Sequence, residues 1–227
     1  MSLQLRPSKH QLADLKRIVE LGGSRLVEIQ AKLSGVHMPP LRPQELLSVV
    51  ESVVPGSDAE RLVRQLLSLQ GLISQTGHGI DVVMDGLRAA VGEYGRDEGI
   101  ELSDWLVVEP AIKVLVANRC VRLAAKAIEL SYDYANLLKR ARILTDIRPL
   151  FSEAADGIEG AVISYTLRLL YDTADGEHEL SIALDEADVL SLSQQCDRAL
   201  AKASTAQALL NEKCGISVAV SGEVVDA

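Results

Sequence analysis

Cysteine and histidine are scarce, and neither is arranged for chemistry. Cys120, Cys196 and Cys214 are odd in number and show no paired spacing. Each falls in or at the end of a predicted helix. That argues against a disulfide framework and a zinc site, and reduced thiols are expected. His10, His37, His78 and His178 show no HExxH or other helical ligand spacing. His178 is read as a solvated hairpin residue and His78, between two glycines, as part of a plain turn. Long apolar runs are lacking too. None approaches the roughly 20 residues that a spanning helix needs, so no membrane partner is expected. Residues 1–10 lack an apolar signal core, so the chain is read as cytoplasmic. Glycine is plentiful, yet there is no Walker A sequence and no glycine-rich strand-to-helix turn. No serine sits in a GxSxG setting. With no catalytic, cofactor-binding or metal-binding residue to name, the chain is read as not an enzyme.

What is present is apolar periodicity. Hydrophobic content of 48% excludes general disorder. Charge is divided unevenly. Residues 1–141 hold 17 basic and 17 acidic side chains, and residues 142–227 hold 6 and 15, which accounts for the net charge of −9. The acidic second part repels phosphate backbones, so nucleic-acid binding is unlikely and would have to come from the first.

The first part reads as helices. Ser8 and Gln11 form a capping box, followed by a stripe of Leu12, Leu15, Ile18 and Val19. Gly22-Gly23 stops this helix, and Ser24 opens a second one through Leu33. The pair, at residues 8–33, resembles a helix-turn-helix. Residues 1–40 carry six basic and three acidic side chains, so a DNA-binding regulator is the alternative reading. Pro39-Pro40 forms a connector, and Pro43 begins a helix that Pro55-Gly56 ends. Leu62, Leu66, Leu69 and Ile73 mark the next helix, which Gly77-His78-Gly79 breaks. Val83, Leu87 and Val91 mark another. Ser103 or Asp104 caps a short helix containing Trp105. Pro110 then opens the longest helix, to about Arg140, apolar on several faces and therefore central.

The second part changes period. Ile163, Tyr165, Leu167, Leu169 and Tyr171 alternate with Ser164, Thr166 and Arg168, the mark of a half-buried strand. Leu180, Ile182 and Leu184 repeat the pattern, and Asp175-Gly176 supplies the hairpin turn between the two. A fainter strand precedes them, with Ile143, Thr145 and Ile147 on one side and Pro149 at its end or on a sheet edge. Arg142, Arg148 and Arg168 fall on the polar side and are read as pairing with local acids. Asp172, Asp175, Glu177 and Glu179 lack EF-hand spacing and are read as a solvated acidic turn. After Asp185, a plausible N-cap, Val189, Leu192, Cys196, Ala199, Ala203, Ala206 and Leu210 form one helical stripe, taken as the cover of the sheet. Gly215 ends the helix.

The predicted fold class is therefore α+β: an all-helical domain at residues 1–140, a β-β-β-α module at 141–214 and a loose tail at 215–227. Three strands and a helix, with the Gly176-to-Asp185 segment entering the final helix, resemble the COMM domain family. The resemblance rests on residues 142–151, 162–171, 177–184 and 186–210. It implies a non-enzymatic adaptor that dimerises through this module. Independently, a small sheet covered on one face by one helix leaves edges and apolar surface open, and two-fold pairing is the common remedy. The partner expected is a second copy, with other proteins beside it. The expected interface residues are Ile163, Tyr165, Leu167, Leu169, Leu180, Ile182 and Leu184.

Overall fold

A computed structural model describes residues 3–221 and gives an α+β fold. The described residues fall into two units, 3–131 with 210–221, and 132–209. The helical unit begins as its sequence dictates. The Ser8 hydroxyl accepts the Gln11 N–H at 3.3 Å, and the Gln11 side chain accepts the Ser8 N–H at 2.8 Å. This capping box starts α1 (Lys9–Ser34), which bends at one non-helical residue, Gly22, with φ 79° and ψ 160°. The break expected at Gly22-Gly23 is thus a one-residue kink. A DNA-binding helix-turn-helix joins its helices through a turn of about three or four residues.

Next come α2 (Pro43–Glu51), α3 (Gly56–Thr76) and α4 (Ile80–Tyr94). Pro43 stands in the first turn of α2, and left-handed Gly77 closes α3. A short 3-10 turn (Arg96–Glu98) leads to α5 (Leu102–Ala117) and α6 (Arg119–Tyr132). α1 lies against α2, α3 and α5. The core between them holds Ile18, Leu26, Leu62, Leu66, Leu115 and Trp105, all essentially inaccessible to solvent.

Two expectations about residues 102–140 are corrected. Pro110 lies inside α5 instead of opening a helix, and Glu101 is the cap residue, in place of Ser103 or Asp104. Burial of Trp105 and Val108 before Pro110, and of Ile112, Leu115 and Val116 after it, outweighs the one lost backbone hydrogen bond. The break falls instead at extended Asn118, whose side chain accepts the Cys120 N–H at 2.8 Å and starts α6. The helix also stops short of Arg140: α6 ends at Tyr132, and Leu137 already begins a strand. Pairing with a neighbouring strand overrides the helical propensity of Leu137, Leu138, Lys139 and Arg140.

The second unit carries β1 (Leu137–Phe151), β2 (Ile158–Thr173) and β3 (Gly176–Leu184), followed by α7 (Glu186–Cys214). The sheet is antiparallel with β2 central, so β1 and β3 are both edges. Pro149 sits on the β1 edge strand, where a missing N–H is tolerated. Gly176 takes φ 120° at the β2–β3 turn, and the Thr173 hydroxyl accepts the Asp175 N–H at 3.1 Å. Asp185 and Asp188 exchange side-chain-to-backbone hydrogen bonds and start α7. Gly215, at φ 62°, stops it, with the Ile216 N–H reaching back to the Leu210 carbonyl. Residues 215–220 form no helix or strand, and the remainder of the expected tail beyond 221 lies outside the described residues.

Candidate interaction surface

The sheet register decides which side chains share a face. Tyr165 pairs with Leu184, Leu167 with Ile182 and Leu169 with Leu180. On the other side Ile163 pairs with Ile147, Tyr165 with Thr145 and Leu167 with Ile143. Because side chains alternate along a strand, all seven expected interface residues stand on one face, and Ile143 and Ile147 of β1 join them. Ile163 is 59% exposed, Leu180 45% and Ile182 39%, and Tyr165, Leu167, Leu169 and Leu184 are only half-buried. Ile147 is 70% exposed.

The expected cover is not in place. α7 has no buried residue and forms no packed layer on the sheet. Its stripe, from Val189 through Leu192 to Leu210, reaches at most partial burial. The helix pattern was legible, but an amphipathic stripe says only that a helix has an apolar partner, not which one.

The sheet also runs further than the alternation indicates. β3 pairs only with Tyr165 to Thr173, so β1 and β2 continue past it as a two-stranded ribbon. Leu150, Phe151, Ile158 and Val162 on this ribbon are all about half exposed or more. Of these only Ile158 lies outside the expected strand stretches 142–151 and 162–171; it pairs with Phe151 beyond a register shift.

The polar face is simpler. Arg142 and Arg168 stand directly opposite each other on β1 and β2, and Arg148 lies further along, opposite Val162. Arg168 approaches Glu179 at 3.9 Å. The acidic turn is partly paired by one lysine. Lys139, which the ladder skips, bonds Glu177 at 2.9 Å and Asp172 at 3.2 Å. Its ammonium pKa is raised, first by the Glu177 hydrogen bond and then by Asp172. His178 is exposed and stacks on Tyr171 at 5.8 Å. Among the described residues no cluster of His, Cys, Asp or Glu is arranged for a metal ion. None of their helices is long and apolar enough to cross a membrane.

No family model matches this chain, and no curated protein matches it significantly.

Proposed function

We propose that the protein is a non-enzymatic interaction module that pairs with a second copy of itself through the sheet and α7. The observation that carries this reading is that no residue between 132 and 209 is buried as a whole. Three strands and a long helix cannot offset their own ordering entropy without burying apolar surface.

A second copy is the occupant that fits. Each chain has an uncovered apolar sheet face and an uncovered apolar helix stripe, and a two-fold axis lets each copy supply what the other lacks. This is the arrangement that the COMM domain resemblance implies. The cytoplasm is the compartment that fits its reduced thiols. A DNA-binding role gains no specific support, since the helix pair near residues 8–33 is one kinked helix whose Leu26, Ile29 and Leu33 are spent on the core.

Leu167→Asp tests the reading, because it puts a charge at the centre of the sheet face. The variant sediments as a monomer where the wild type sediments as a dimer. Trp105, the one tryptophan, is buried in the helical unit, so its unchanged emission shows that this unit stays folded, and a retained strand signal in circular dichroism shows that the sheet does. Undiminished assembly of Leu167→Asp contradicts the proposal.

A further inference from the structure

Residues 3–7 precede α1 and form no helix or strand, yet Leu3 and Leu5 pack against the helical core. Their exposure alternates. Leu3, Leu5 and Pro7 are half-buried, and Gln4 and Arg6 are exposed. That is the habit of an extended segment lying in a groove.

The groove floor is built for close approach. α4 presents Gly86, with Ala89 and Ala90 one turn on. A Cβ at Gly86 would stand 2.8 Å from the Leu3 carbonyl oxygen and 3.5 Å from Leu5 Cγ. Gly86 lies within a helix and serves no turn. Its missing side chain is what admits another backbone. Asp85 and Glu93 make one wall acidic, beside Arg6. The Tyr94 hydroxyl pKa is raised, chiefly by Glu93, and the charge of nearby Arg6 opposes the shift.

The segment neither fills the groove nor is pinned in it. Cavities of about 430 and 390 Å³ flank it, along α4 and beside α3. Among the described residues, no backbone–backbone hydrogen bond ties residues 3–7 to the helices. Two half-buried leucines hold it, with Arg6 beside the acidic wall.

We propose that this groove along α4 and α3 is a recognition site for an extended partner segment. That segment carries two leucine-sized or larger apolar side chains at alternate positions, followed by a basic residue. Residues 3–7 fill the site in cis until it arrives. The inference does not depend on the pairing of the second unit.

The test uses the full chain and a labelled, N-acetylated peptide of residues 3–8, followed by fluorescence anisotropy. The peptide binds the Leu3→Ser/Leu5→Ser chain. It binds the wild type about tenfold more weakly or worse, because the tethered segment competes at an effective concentration near the millimolar range. Adding Gly86→Ala to the double variant abolishes binding. Alanine suits a helix interior better than glycine, so this loss is not unfolding, and unchanged Trp105 emission checks that. A peptide with Arg6→Glu loses most of its affinity. One with Leu5→Phe keeps or gains it, since the flanking space accepts the ring. No binding to the double variant, equal binding to the wild type, retention with Gly86→Ala, indifference to Arg6→Glu or rejection of Leu5→Phe each overturns the proposal.

Discussion

Asp14 is the clearest case of a single residue whose environment decides its worth. Its carboxylate is only 1% exposed. It accepts three hydrogen bonds from the Arg64 guanidinium, two at 3.1 Å and one at 2.9 Å, and a fourth from Gln65 at 3.0 Å. The partners differ in burial. Arg64 is half exposed and returns to water if Asp14 is removed, whereas Gln65 is buried and keeps an orphaned amide. Asp14→Ala therefore costs about 1–3 kcal/mol, the range for one buried polar group left unmet. Denaturant unfolding followed by Trp105 emission measures it. Cys120 is the second case. Burial pushes its thiol pKa up, while nearby Arg119 pulls it down by less. A raised pKa means less thiolate near neutral pH, so Cys120 resists thiol reagents that modify exposed Cys214. In a thiol-labelling series, Cys120 reacts only as Trp105 emission shifts on unfolding. Labelling of Cys120 before that shift contradicts the buried placement.

At the scale of elements, glycines and caps set the boundaries. Gly22 holds φ 79° and ψ 160°, a region that only glycine occupies without strain, and a Cβ there meets no neighbour. Gly22→Ala thus costs about 1–3 kcal/mol through the backbone alone. Gly23 is helical and has room for a methyl group, so Gly23→Ala is neutral or stabilising by up to about 1 kcal/mol. Thermal melts of the two variants show the contrast. The legibility of the fold follows the same logic. The Ser8 capping box, the Gly77 stop and the Asp175-Gly176 hairpin each bond within a few residues, so their sequence carries the signal. Pro110 and the α6–β1 boundary depend on distant partners. Core burial around Trp105 holds α5 together across the proline. The β2 ladder draws Leu137 to Ala141 into a strand. Local pattern misreads both. The candidate surface was legible as a face, because alternation at residues 163–184 fixes which side chains stand together. Its extent was less so, since Ile158 pairs with Phe151 beyond a register shift. Nor was the position of α7, which depends on what its stripe meets.

At the scale of the molecule, the chain divides its labour. The helical unit has a continuous core of its own. The β-β-β-α unit has sheet and helix but no buried residue between 132 and 209; under the proposed pairing its order depends on protein concentration. That contrast underlies the proposed pairing. An acidic second part makes indiscriminate clustering costly, because residues 142–227 carry 15 acidic against 6 basic side chains. In the proposed pairing the apolar face is met by the apolar stripe of the second copy's α7.

Light scattering during size-exclusion chromatography, run on the wild-type chain at micromolar concentration, addresses this directly. The account predicts a mass twice that of the 24.5 kDa chain. A single monodisperse peak at the chain mass, with the strands of residues 137–184 protected from hydrogen exchange, contradicts it.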